Sequence, residues 1–386
     1  HGADPGEYDL VVSNSEGGAE SLLEIGARRV ETVFWAADPE FFSRWSVAEL
    51  SRHNDYWLGK QGRLTHPMVL RPGSSHYAPI GWDEAFALVA SELNALDAPD
   101  QAVFYTSGRT SNEAAFLYQL FVREFGTNNL PDCSNMCHES SGVALGEALG
   151  LGKGSVTLED FDHTQLVVVM GQNPGTNHPR MLSALQRAVQ RGARIVSVNP
   201  LPEAGLIRFQ HPQDPLDLLG KGTPLASLFL PVRVNGDVPF LLGVAKTVLE
   251  MAESRPEIIA RDFIAAHTDG FEAWETAVRA APWDALVAGS GIDREGMRAL
   301  AELIATNERI IFSWAMGLTQ HRNAVDNIQE IVNLLLLRGS IGKPGAGTCP
   351  VRGHSNVQGD RTVGITERPT ASFLDRMKAT FGFDDH

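Results

Sequence analysis

Residues 165–200 read QLVVVMGQNPGTNHPRMLSALQRAVQRGARIVSVNP. The run at 165–170 is almost purely apolar, the composition of a strand buried on both faces. A loop of Gly, Gln, Asn, Pro and Thr follows. Leu182, Leu185 and Val189 then recur at helical spacing, and Gly192 marks the stop. A second apolar run, ARIVSVNP, begins at once. Strand, loop, helix and strand in this order predict two parallel strands joined by a right-handed crossover.

The same grammar recurs on both sides. ERIIFSWAMGLTQHRNAVDNIQEIVNLLLLRG, residues 308–339, repeats strand, loop and helix, with Ile328, Ile331, Val332 and Leu335 on the helix's core face. QAVFYTSG (101–108) reads as a short strand, and TSNEAAFLYQLFVREFG (110–126) as a helix. Thr110 and Glu113 stand at capping-box spacing there, and Gly126 is the stop. The first eighty or so residues show little periodicity until Trp82, where a helix is expected to begin. The fold class is therefore α/β with a parallel sheet.

In such sheets ligands bind beyond the carboxyl ends of the strands. Three loops are expected there: SGRTSN (107–112), GQNPGTNHP (171–179) and MGLTQH (316–321). Each taken singly is also an ordinary turn composition. Together they suit a large polar ligand carrying phosphate. None matches the dinucleotide or Walker fingerprints.

Composition narrows the classes. The chain has 386 residues, 43% hydrophobic and 20% charged, with a formal net charge of -15 and no basic run. Nucleic acid and anionic membrane are excluded as expected partners. The longest apolar run, IVNLLLL at 331–337, is far below the ~20 residues of a membrane span. With no signal-like start and three cysteines, too few for a disulfide framework, a cytoplasmic location is expected.

Two of those cysteines share one segment, CSNMCHESSGVAL (133–145). A zinc site would need Cys349 and His354 to complete it. Core packing is the ordinary use of a free cysteine. Cys137, beside His138 and near a helix start, also fits a low-pKa thiolate, as nucleophile or soft metal ligand. Spacing leaves these readings open.

CHESSGVALGEALGLGKGSVTLEDFDHTQLVVVMGQNPGTNHPRML, WAMGLTQH and GKPGAGTCPVRGHSNVQGDRT, with GKQGRLTHPM and WDEAF before them, resemble the molybdopterin oxidoreductases of the formate dehydrogenase type. The resemblance is strongest to the YdeP-type branch and runs from about residue 40 to near the end. It implies formate dehydrogenase/DMSO reductase-like domains with parallel doubly wound sheets. It also implies molybdenum or tungsten held by bis-molybdopterin guanine dinucleotide. Carried over, Cys137 is the metal ligand, His138 takes the substrate proton near neutral pH, and Arg352 holds the substrate anion. The matching cofactor contacts are Lys60, Gly171, Asn173, Thr176, Asn177, His178, Asn199, Pro200, Gly222, Thr223, Gly317, Gln320, His321, Ser355, Asn356, Gln358 and Gly359.

The family plan divides the chain into an irregular region 1–77, one α/β domain from 78–132 with 355–386, and a second α/β domain 133–354. Two departures stand out. No cysteine precedes Cys133, so a [4Fe–4S] cluster is not expected from this chain, and the family's C-terminal β-rich domain is expected to be missing. The resemblance predicts two-electron chemistry on a small-molecule substrate, formate to CO2 being the nearest analogue, with an electron carrier or partner chain. The competing readings are a non-catalytic or partial pterin-binding subunit and a metal-free thiol enzyme using Cys137 with His138.

Overall fold

The computed structural model describes residues 23–25, 28–30, 36–214 and 220–383. It divides into two compact units, residues 1–102 and 103–386.

In the first unit the described residues form short helices and strand pairs of two or three residues. Its longest element is α1 (Trp82–Asn94), which begins at the tryptophan where periodicity sets in. The amino-terminal stretch without cysteines lies largely outside the described residues, and so does the expectation drawn from it about a cluster.

The second unit is built on five parallel strands: β1 (Leu166–Met170), β2 (Arg194–Val198), β3 (Ala226–Leu230), β4 (Ile310–Trp314) and β5 (Gly347–Pro350). Their spatial order is β3-β2-β1-β4-β5. Every residue of β1 and β4 is buried, as their apolar runs require. Alternate residues of β1 serve opposite cores. Val167 and Val169 join Leu182, Leu185 and Ile195 beneath the helix Pro179–Gln190 on one face. Leu166, Val168 and Met170 face the helices Asp237–Met251, Arg294–Thr306 and Ala324–Leu337 on the other. Ile328, Ile331, Val332 and Leu335 are fully buried there. Helices on both faces of a parallel sheet make this a doubly wound α/β fold.

Two local expectations are corrected. Residues 101–108 form no strand: Phe104 N–H donates to Asn129 O at 2.8 Å, and a single bridge joins Thr106 to Asp132. The facing segment contains Pro131, which has no N–H to extend a ladder. The helix Asn112–Phe125 is capped by Ser111, whose Oγ accepts the Ala114 N–H at 3.3 Å. Thr110 turns its hydroxyl to Ser107 O at 3.2 Å instead, so no capping box forms. Gly126 does end the helix, at φ 104°.

Candidate functional site

Strand order fixes where a site can form. The chain leaves β1 toward β2 and leaves β4 toward β5, on opposite sides, so the loops after these two neighbours part and open a crevice. The loops meet backbone to backbone at its floor. Gly317 N–H donates to Gly171 O at 2.9 Å, and a Cβ on Gly317 would stand 2.5 Å from the Gly171 Cα. Gly171 itself sits at φ 55°, so glycine is required at both positions. The loop 107–112 does not follow a strand of this sheet. It reaches the crevice from outside, through Arg109.

The crevice holds a cavity of about 410 Å³, lined by Cys137, Arg109, Gln172, Asn173, Asn177, His178, Asn199, Glu203 and the loop glycines. A second cavity of about 300 Å³ shares Gly171, Asn199, Glu203 and Gly317 with it and adds Pro200, Arg233, Asp237 and His321. Ser313 hydroxyl donates to Gln172 Oε1 at 2.8 Å, and the Gln172 amide donates to His178 Nδ1 at 3.2 Å. That chain places the His178 proton on Nε2, a buried donor with no partner among the described residues. An orphan N–H on a residue of the cavity wall fits a ligand that supplies an acceptor oxygen or nitrogen.

Cys137 ends the short helix Ser134–Cys137 and is 8% exposed. Thr319 Oγ donates to its carbonyl at 2.6 Å, and Gln320 donates to the carbonyl of Met136, so the loop after β4 holds the cysteine over the crevice. A low-pKa thiolate, one of the readings that spacing left open for Cys137, is not what its surroundings favour for the free thiol. Burial and the neighbouring Cys133 push the Cys137 thiol up, against the charge of Arg352. Desolvation disfavours the anion more than one guanidinium favours it. Cys133 is packing: its sulfur accepts the Gly108 N–H at 3.2 Å. Cys349 lies on β5 beside Ser313, burial raising its thiol to about 11. Among the described residues no group of three or more His, Cys, Asp or Glu converges to hold a metal, so the zinc reading has no geometry behind it.

The titration near neutral pH expected of His138 is corrected. Burial first, and then the Arg352 charge, lower it to about 4, so the imidazole is neutral at pH 7. Both nitrogens are engaged: Nε2 donates to Val351 O at 2.9 Å, and Nδ1 accepts from Ser141 Oγ at 2.9 Å. Ser141 in turn accepts the Trp314 indole N–H at 3.0 Å. A hydrogen-bond chain thus runs from β4 through the helix Glu139–Leu149 to the segment just before Arg352.

Arg352 does not line the large cavity. It opens with His138, Gln358 and Lys153 on a separate cavity of about 180 Å³. The remaining expected residues divide clearly. Thr176 N–H donates to Asn173 Oδ1 at 3.1 Å and its side chain is exposed. Gly222 and Thr223 belong to a hairpin, where Thr223 Oγ accepts from Gln186 at 2.9 Å, and they line neither large cavity. Asn356 bonds Gly108 O, Thr110 O and Asn112, tying two loops together, while Gly359 lies against its amide and Ser355 is exposed. Lys60 belongs to the other unit, its ammonium 5.6 Å from the Tyr56 ring centre.

Sequence reasoning missed Glu203 and Asp237. The Glu203 carboxylate accepts from the Asn173 and Asn199 amides and holds both loops in place. Asp237 is 4% exposed, with His321 Nδ1 3.6 Å away, and burial raises it to about 6. Nothing in the sequence separates either from an ordinary surface acid. Arg109 sat in a quoted loop and was legible as a basic residue there.

The family model Molybdopterin oxidoreductase matches residues 63–370. An uncharacterized oxidoreductase of Mycobacterium tuberculosis is 54% identical over 95% of this chain and 46% of its own length. Protein YdeP of Escherichia coli is 46% identical over 94% of this chain and 49% of its own. Formate dehydrogenase H of Escherichia coli is 28% identical over 78% and 40%. This chain therefore spans about half the length of the first two of these relatives. Acetylene hydratase from Pelobacter acetylenicus superposes with a TM-score of 0.59 at 18% identity, over 78% of this chain and 39% of that one, a likeness of fold. The chain belongs to the molybdopterin oxidoreductase family, on its YdeP-type branch.

Proposed function

We propose that this chain holds a molybdenum or tungsten centre on bis-molybdopterin guanine dinucleotide and oxidises or reduces a small substrate by two electrons. The observation that carries this reading is Cys137, whose side chain lines the amide-walled cavity at the sheet's switch point. When bound, the metal supplies two-electron redox chemistry from a soft, sulfur-rich centre, for which a cysteine thiolate is an apt protein ligand. Asn173, Asn177, Asn199, Gly171, Gly317 and the orphan His178 N–H are the proposed contacts for the dinucleotides, with Pro200 and His321 in the adjoining cavity. Gln320 and Asn356 hold the loops that carry them. Ligation of Cys137 requires loss of the proton that burial otherwise keeps on it.

Formate oxidised to CO2 releases two electrons and a proton, and formate is the proposed substrate by its chemistry and by similarity to formate dehydrogenase H. Arg352 is assigned the anion and His138 the proton. Since Val351 O fixes a proton on Nε2, the accepting atom is Nδ1, and the Ser141 hydroxyl must turn from it to admit the proton. The proposed domain plan groups 78–132 with 355–386, beside 133–354; Asn356 N–H on Gly108 O at 2.6 Å, and Arg123 on Gly364 O and Thr366 O, support it for 103–132, while 78–102 fall in the other compact unit.

The test is metal and pterin content of protein produced with molybdate, together with formate-dependent dye reduction. Metal, pterin and turnover are expected. Absence of both metal and pterin refutes the reading. The alternative reading is a non-catalytic or partial pterin-binding subunit of such an enzyme. Bound cofactor without turnover on formate supports that alternative.

A further inference from the structure

The opposite end of the sheet carries a further polar cavity, of about 410 Å³, where β1, β2 and β4 begin. Strands of five residues put it about 17 Å from the loops that follow them and form the crevice. Its wall holds Arg191, Arg194 and Arg309, with Asp162, Gln165 and Asn307.

The charge of this wall runs against that of the chain. The sequence has 47 Asp and Glu against 32 Lys and Arg, yet here three arginines face one carboxylate. That carboxylate, Asp162, is already shared by Arg191 and by Arg187, the latter at 3.3 Å. Glu308 lies outside the wall, and its charge acts on Lys343 and Arg338. The Arg309 guanidinium makes no ion pair and no hydrogen bond among the described residues. Arg194 uses only Nε, which donates to Ser227 Oγ at 3.0 Å, so its two terminal nitrogens are open.

The backbone beneath these two arginines is pinned through Gln165. Its carbonyl accepts the Arg194 N–H at 2.9 Å, its N–H donates to Arg309 O at 3.0 Å, and its Oε1 accepts the Arg309 N–H at 3.1 Å. Arg194 and Arg309 thus flank β1 on either side, two strand spacings or about 10 Å apart at the backbone. Two guanidinium forks on fixed bases suit a ligand with more than one phosphate group. Among the described residues of the wall there is no Phe, Tyr or Trp on which a base could stack.

We propose that this pocket binds a compact phosphate-bearing polyanion without a base, of diphosphate size or slightly larger, gripped by Arg194 and Arg309 with Arg191 as the third cation. The site is separate from the cofactor crevice and stands whether or not the crevice takes up pterin.

The probe is inorganic pyrophosphate, added to the full chain in buffer free of divalent cations and followed by thermal unfolding and titration calorimetry. Sodium sulfate and sodium chloride at equal ionic strength are the controls. Pyrophosphate should bind saturably and raise Tm by about 2 °C at ten times its apparent Kd. Arg194→Gln and Arg309→Gln should each raise that Kd about tenfold, and the double variant should abolish the effect. Arg298→Gln, an exposed position on another element, should leave it unchanged. The crevice is itself proposed to hold phosphate, and the variants separate the two: a rise that persists unchanged in the double variant arises elsewhere and overturns the proposal. A rise matched by sulfate is a general salt effect and overturns it too. So does the absence of a saturable signal up to about 10 mM. Should the double variant fail to fold by circular dichroism, Arg309→Gln alone decides, because that guanidinium holds nothing in the fold.

Discussion

Replacing Ser141 by alanine should destabilise the chain by about 2–5 kcal/mol. The residue is fully buried, and its hydroxyl holds two other buried groups: the Trp314 indole N–H at 3.0 Å and His138 Nδ1 at 2.9 Å. Trp314 is itself fully buried and His138 is 2% exposed, so neither can turn to water. Each stranded polar group costs about 1–3 kcal/mol, and the lost hydroxyl leaves almost no cavity. Against a typical total of 5–15 kcal/mol this is easily read by urea unfolding. The double variant with Trp314→Phe isolates the network. Removing the indole N–H spares the hydroxyl one duty, so the coupling should be about 1 kcal/mol or more. His138 also carries a pH dependence, set first by burial and then by the Arg352 charge. His138 lies at about 4 in the folded protein, against an ordinary 6.5. A depressed histidine stabilises fully above its unfolded value, and that contribution is lost as pH falls from 6.5 toward 4, about 3 kcal/mol in all. In Ser141→Ala the imidazole loses the donor that favours its neutral form, so that window should move up in pH. A cost below about 0.5 kcal/mol, with the acid limb unmoved, would refute the network.

Three further outcomes follow from single sites. Gly317→Ala forces a Cβ to 2.5 Å from the Gly171 Cα; backbone must move, so a loss of about 1–3 kcal/mol in urea unfolding and reduced pterin uptake are expected. Asp237→Asn tests the buried acid beneath the second cavity. Asp237 is raised to about 6 in the fold, so its favourable contribution is complete below its unfolded value of 3.8 and is lost as pH rises through 6. The variant should therefore gain on wild type by about 3 kcal/mol between pH 4 and pH 8, read as the change in the stability difference across that range. Glu203→Ala releases the amides of Asn173 and Asn199 together, so pterin content should fall while the urea midpoint moves only modestly.

The three inner strands of the sheet were legible because β1 and β4 are buried on both faces and β2 nearly so, whereas the edge strands β3 and β5, less fully buried, went unread. An unbroken run such as LVVVM has few other uses, and the periodic Leu182 and Leu185 beside it settle the crossover. The same signal misled at 101–108, where Phe104 is buried but Pro131 on the facing segment removes the ladder that would make a strand. Loop composition placed two of three candidate loops at the switch point, because Gly171 and Gly317 are needed there for backbone contact. Side-chain environment was the part out of reach. The sequence puts His138 next to Cys137, but the distant residues Ser141, Trp314 and Val351 set its proton, and burial sets the state of both. Glu203 and Asp237 escaped for the same reason: an acid becomes part of a site only through the partners that folding brings to it.

The central claim is that Cys137 is the protein's ligand to a pterin-bound metal. It is tested most directly by metal and pterin analysis of wild-type and Cys137→Ala protein produced side by side with molybdate. Wild type should carry metal and pterin in fixed proportion, while Cys137→Ala should keep pterin, through the loop contacts, and show an altered metal absorption spectrum. Wild-type protein holding neither metal nor pterin, or a variant with an unchanged metal spectrum, would contradict it.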